Sequence, residues 1–148
     1  MRLSKRSDYA ARAVIDLARH YHQGPIQSAD IATRQEIPEA YLEQLLTSLR
    51  KSGLVRSTRG PHGGHELART PAEIRFADVI AALEGPLAPL DGLNDAVVAG
   101  VAPSCAVRDV WDVWHEVMTS TQRILEATTI EDLVERQKAR ESRVMYHI

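Results

Sequence analysis

Between Pro38 and Gly53 the chain reads PEAYLEQLLTSLRKSG, and its four leucines leave it little choice of fold. Leu42, Leu45, Leu46 and Leu49 recur at spacings of three and four, so on a helix they form one apolar stripe. Pro38 suits a first helical turn, where its missing N–H would have had no partner. Gly53 suits the C-terminal end. The opposite face would carry Tyr41, Gln44, Thr47, Ser48, Arg50 and Lys51. Such a helix must be buried on one side and present hydrogen-bonding groups and cations on the other.

The neighbouring segments give this helix its context. SDYAARAVIDLARHY, residues 7–21, repeats apolar residues at helical spacing (Ala10, Ala13, Val14, Leu17, Ala18, Tyr21). Ser7 or Asp8 is placed to cap it, and Gly24-Pro25 ends it. Ser28 is placed to cap a second short helix, ADIATRQ, which closes near Ile37-Pro38. After Gly53, residues 54–59 read as a strand, Gly60-Pro61-His62-Gly63-Gly64 as a turn, and residues 65–68 as the return strand. Three helices followed by a glycine hairpin is the order of a winged helix-turn-helix. In that architecture the second helix of the pair enters the major groove of DNA and the hairpin meets backbone or minor groove.

Other uses of the glycine turn fit less well. A nucleotide-binding loop needs Gly-Lys-Ser/Thr and a following helix; here a strand follows. His62 and His65 lack a third metal ligand, so no metal site is expected, and His62 reads as a wing-tip contact. No paired-carboxylate or nucleophile-elbow pattern occurs. Cys105 and His115 stand ten residues apart, nearly three helical turns and too far for a nucleophile–base pair on one helix. No enzyme is expected.

Charge divides the chain. Of its 148 residues, positions 1–75 carry 12 Lys/Arg against 8 Asp/Glu, and positions 76–148 carry 6 against 12. A basic front half facing a polyanion and an acidic back half facing something else would explain the split. No apolar run is long enough to span a membrane, and the basic start is followed by Asp8 rather than an apolar core. A cytoplasmic location is the expectation. One cysteine, Cys105, excludes an internal disulfide and an all-cysteine metal site within one chain.

The back half begins with AEIRFADVIAALEG, a helical piece ending at Gly85. Residues 86–104 hold three prolines and two glycines without a clean period; a connection this long tends to be functional or mobile. From Cys105 the chain is helical again. Val107, Trp111, Trp114, Met118, Thr121 and Leu125 follow spacings of 4, 3, 4, 3, 4, a coiled-coil seam. Val110, Val113, Val117 and Ile124 add a second apolar edge. A helix apolar on two edges needs two partners, its own domain and a second chain, so this reads as a dimerisation helix. Thr129 and Asp132 stand at capping-box spacing before a mostly polar last helix. The expected fold is mainly α: a winged helix-turn-helix domain (1–84), a sensor-type loop (85–104), a long dimerisation helix (105–128) and a C-terminal helix (129–148).

The segments MRLSKRSDYAARAVIDLA, ADIATRQEIPEAYLEQLLTSLRKSGLVRSTRGPHGGHELAR, IRFADVIAALEGP and ILEATTIEDL together resemble the Rrf-two (Rrf2) family of bacterial transcription regulators. The resemblance covers nearly the whole chain. It implies a homodimer of two winged helices joined by crossed long helices, each recognition helix meeting half of a palindromic operator, more often as a repressor. By matching position, Tyr41, Glu43 and Gln44 would lie in or near the groove, and Arg59 with the 60–64 wing would enter the minor groove. The expected DNA contacts are Arg2, Lys5, Ser28, Tyr41, Glu43, Gln44, Thr47, Arg50, Lys51, Arg56, Thr58, Arg59, Gly60, His62 and Gly63. The basic members, with Arg6, supply affinity that falls with salt, and Arg59 suits a narrow A·T-rich minor groove. Arg12, Arg19 and Arg69 are expected to be solvated surface residues.

The family pattern breaks in the loop. Cluster-binding relatives place three cysteines there; this chain has none, and only Cys105 stands, at what resembles the last cysteine position. Arg108 occupies the place of the iron–sulfur regulator's histidine. A cluster needs about four ligands, mostly thiolates, so no cofactor is expected. An iron–sulfur cluster would have to recruit Asp8, His20, His22 or His115, or one Cys105 from each chain. Cys105 is otherwise a candidate sensor thiol, made reactive by a helix N-terminus and Arg108. A signal from a regulatory protein or a small-molecule effector is the third reading, since EGPLAPLDGLN resembles the loop of the cysteine-metabolism repressor.

Overall fold

The computed structural model describes residues 3–85 and 105–146. The chain runs α1 (Lys5–Arg19), α2 (Ser28–Gln35), α3 (Glu39–Lys51), β1 (Val55–Thr58), β2 (Gly64–Leu67), a 3-10 turn (Pro71–Glu73), α4 (Phe76–Glu84), α5 (Cys105–Ala127) and α6 (Ile130–Met145). Among the described residues no helix is long and apolar enough to cross a membrane.

Each boundary has a local cause. Ser4, not Ser7 or Asp8, caps α1: its Oγ accepts the Ser7 N–H at 3.0 Å. Ser7 is instead buried inside the first turn. Likewise Ser28 is not the cap of α2. It lies in the first turn behind Gln27, and its hydroxyl donates to Glu39 across the helix pair at 3.4 Å. Glu36, in the left-handed conformation, ends α2. Ile37 then buries, and Pro38 takes the N-cap of α3. The expected fourth helix splits into the 3-10 turn and a shorter α4. Thr129 and Asp132 close their capping box as expected, at 2.8 and 3.1 Å.

The core is the sum of the apolar stripes. Ala10, Ala13, Val14 and Leu17 of α1, Ile31 of α2 and the four leucines of α3 pack with Leu54, Val55 and Leu67 at the hairpin, Ile74 before α4 and Val79 within it. Ile130 and Val134 of α6 are buried in the same cluster. The last helix is therefore part of the winged domain's packing rather than a polar appendage. Backbone bonds secure the junction, from Phe76 N–H to the Thr128 carbonyl at 2.8 Å and from Ile130 N–H to the Ile74 carbonyl at 2.9 Å. Arg19, expected to be free in solvent, pairs with Glu141 of α6 at 2.5 Å. Arg12, likewise, donates to the Gln35 carbonyl at 3.0 Å and crosses the face of Tyr9.

Among the described residues one charged group is inside. Asp16 of α1 is 2% exposed and accepts a two-pronged bond from Arg34 of α2 at 3.0 and 2.6 Å, with Gln35 Nε2 adding a third at 3.0 Å. The contact raises the Arg34 pKa. It fixes the angle between α1 and the helix pair, because a buried carboxylate without partners is costly. Arg34→Ala should lower unfolding stability by about 3 kcal/mol by leaving that carboxylate uncompensated; urea unfolding of the variant checks this.

Candidate nucleic-acid interface

Burial of the leucine stripe turns the other side of α3 outward. Glu43, Gln44, Arg50 and Lys51 are exposed, and Tyr41, Thr47 and Ser48 are half-buried at the edges. The Thr47 and Ser48 hydroxyls donate back to the carbonyls of Glu43 and Gln44 at 2.9 and 3.3 Å, and Ser48 Oγ accepts from Arg6 at 3.5 Å. Tyr41 stands edge-on to Tyr9, ring centroids 5.9 Å apart, so it is braced from α1. Beside it, Arg6, Tyr41, Gln44 and Ser48 surround a hollow of about 240 Å³.

The wing flanks α3. Val55–Thr58 pairs antiparallel with Gly64–Leu67, Ser57 facing His65 and Thr58 facing Gly64. The turn is drawn in tightly. A Cβ on Gly63 would meet the Thr58 carbonyl oxygen at 2.2 Å, and one on Gly64, where φ is +154°, would meet the Ile26 backbone at 2.4 Å. Ile26 is the reason: it exchanges two backbone bonds with His65, at 2.9 and 2.7 Å. The hairpin is thereby fastened to the chain just before α2. Gln27 and Ser28 at the α2 start face Ser57, Thr58 and Gly60 of the wing across an open hollow of about 370 Å³. Hydroxyls and a helix N-terminus around an open hollow suit a phosphate oxygen.

The expected contacts divide in the structure. Lys5, Ser28, Tyr41, Glu43, Gln44, Thr47, Arg50, Lys51, Thr58, Arg59, Gly60, His62 and Gly63 belong to the α1 start, the helix pair and the wing, with Arg59 and His62 exposed at the turn. Lys5, Arg50, Lys51 and Arg59 have no ion-pair partner among the described residues. Arg56 differs: its Nε donates to Glu66 at 2.7 Å on the facing strand, so its charge is already matched. Arg2 lies outside the described residues, as does the 86–104 loop. Cys105 begins α5, but its side chain and that of Val107 also lie outside them. Ser57, which the sequence reading passed over, and His65, which it weighed only as half of a metal pair, are joined at 2.8 Å and are functional candidates; only the hairpin register, which sets them opposite, points to them as a pair.

The long helix also has two unlike edges. Trp111, Met118, Thr121 and Leu125 of the predicted seam are half-buried, on the chain's own domain beside α4, and Trp114 stands at their margin. Val110, Val113, Val117 and Ile124 point elsewhere, roughly 100° around the axis at 3.6 residues per turn. They are 68%, 62%, 39% and 62% exposed. Among the described residues no cluster of three or more His, Cys, Asp or Glu could hold a metal. With a single cysteine in the chain, the donor set does not fit a thiolate-ligated cluster on one protomer.

A helix pair, an outward polar recognition face and a fastened glycine wing define a winged-helix, DNA-binding transcription regulator. Comparison with known proteins agrees. Residues 3–136 match the model of the Rrf2 family, described as an iron-dependent transcriptional regulator. The chain is 32% identical over 148 residues to the transcriptional regulator CymR of Bacillus subtilis, covering all of both chains. It is 36% identical over 141 residues to IscR of Photorhabdus laumondii, covering 93% of this chain and 82% of that one. The solved structure of CymR, the global cysteine regulator of B. subtilis, superposes with a TM-score of 0.78 over 92% of this chain and 98% of that one. The chain belongs to the Rrf2 family. Gly64→Ala should cost about 2 kcal/mol or more, because the new methyl group would force the wing off Ile26; the melting temperature and DNA affinity should fall together in paired thermal and titration measurements.

Proposed function

We propose that this regulator acts as a homodimer that represses transcription by occupying a palindromic operator, one α3 in each of two successive major grooves and one wing beside each. The observation that carries the reading is the pairing of α3's exposed polar face with a cationic turn that is fastened to the helix pair. Glu43 and Gln44 are the base-reading candidates, a carboxylate for a cytosine amine and an amide for adenine. Lys5, Arg50 and Lys51 serve as phosphate contacts, and Arg59 and His62 enter the minor groove. Arg56 contributes less than its charge suggests, since Glu66 occupies it.

The α5 edge supports the dimer. Four exposed branched residues along one stripe of a 23-residue helix are a poor surface for a lone chain. The dimer contact is thus Val110, Val113, Val117 and Ile124 with Trp114 at their border, rather than the whole predicted seam, most of which its own domain half-covers. For the signal, the likeness to the cysteine regulator supports a link to cysteine status. Cys105 at a helix start is the candidate thiol, and a partner protein or small effector are the other routes.

Two measurements test this. Arg59→Ala should weaken binding to the operator by about 1–3 kcal/mol and lower the salt slope by about 1, read by fluorescence anisotropy at several salt concentrations; unchanged affinity removes the wing contact. Val113→Glu should convert the dimer to folded monomers in analytical ultracentrifugation, with the helical circular dichroism kept; an intact dimer removes the α5 interface.

A further inference from the structure

On the underside of the recognition helix, facing the wing, sits a side chain that no contact with DNA accounts for. His65 lies at the start of β2, its backbone tied to Ile26 on one side and its Nδ1 2.8 Å from the Ser57 hydroxyl on the other. Its side chain is only 15% exposed. Its remaining nitrogen, Nε2, is directed at Glu43 of α3, 4.0 Å from Oε1. That spacing is too long for a hydrogen bond but close enough for electrostatic orientation. Glu43 is an exposed carboxylate in the middle of α3, and a carboxylate in a groove full of phosphate charge stays where something holds it. Burial lowers the His65 pKa, opposed by Glu43 and assisted by Arg50.

We propose that His65 is a positioning residue for operator specificity: braced by Ser57 and Ile26, it orients the Glu43 carboxylate toward the base edge that α3 reads, so that the wing helps select a base it does not touch. A carboxylate accepts from the cytosine N4 amine, so the base selected this way is cytosine. The inference rests on the DNA-binding reading above. It differs from that reading in assigning sequence information to a residue that lies under the recognition helix.

The test separates the two. The full-length protein, Glu43→Gln, His65→Leu, His65→Gln and the Glu43→Gln/His65→Leu double variant are each used to enrich binders from a random double-stranded DNA pool. The enriched site is then re-titrated with single-base changes, alongside random-sequence DNA. The wild-type protein should discriminate about tenfold at the position read by Glu43. His65→Leu should bring discrimination at that position to within twofold, with binding to random-sequence DNA changed less than twofold. His65→Gln, which keeps a polar N–H group of similar reach, should keep most of it. The double variant should be no worse than Glu43→Gln alone, the mark of residues acting through one contact. If His65→Leu unfolds, Ser57→Ala removes the brace without entering the core, and it should weaken discrimination at the same position. A wild-type protein that enriches no sequence overturns the DNA reading and this inference with it. A wild-type operator whose base preferences survive His65→Leu, or a double variant whose losses add, overturns the inference alone.

Discussion

Everything outward-facing in this protein depends on the burial of Leu42, Leu45, Leu46 and Leu49. Each is nearly or wholly inaccessible, and a buried leucine stabilises by about 1.5–3 kcal/mol relative to exposure. Four on one stripe hold α3 in a single rotational setting. Rotating the helix enough to hide Gln44 or Arg50 would bring leucines into water and put a cation into the core. The identity of the groove-facing residues is thus a consequence of packing on the opposite side. Asp16 and Arg34 do for the angle of the helix pair what the leucines do for its rotation.

The wing's geometry rests on a different kind of constraint. Two hydrogen-bonded strands of four residues make a marginal sheet on their own. Here the hairpin gains a third attachment, where Ile26 pairs with His65, and that attachment is close enough to exclude any side chain at Gly64. The position of the cationic turn relative to α3 is consequently set by main-chain contacts, which do not vary with rotamer or salt. Side-chain charges then tune binding without having to build the surface that carries them.

The sequence displays the parts whose signal is local and periodic. The leucine stripe, the glycine turn and the capping box at Thr129 all rest on neighbours within a few positions, and each has its expected place. What the sequence hides is long-range. Ser7, Asp8 and Ser28 are misread as caps because several polar side chains near a helix start are equally good caps on paper. Arg12 and Arg19 look like solvated surface residues until α2 and α6 arrive beside them. Arg56 looks like an unpaired cation until the strand register sets Glu66 opposite. The division of α5 into an inward and an outward edge could not be read from two interleaved apolar patterns, since either could have faced the domain. His65 is the clearest case: its role needs a strand partner, a bridge to Ile26 and a helix from elsewhere in the chain.

The return of the chain at Thr128–Ile130 has a consequence for how this protein comes into being. Ile130 is wholly buried in the winged domain's core, and its N–H closes on the Ile74 carbonyl. A growing polypeptide that has reached only Gly85 therefore lacks Ile130 and Val134 of that core. Contacts this far apart in sequence form late and slowly. The DNA-binding domain is completed only once Ile130, beyond α5, has been made, so a chain broken off within α5 should be left without a finished DNA-binding head.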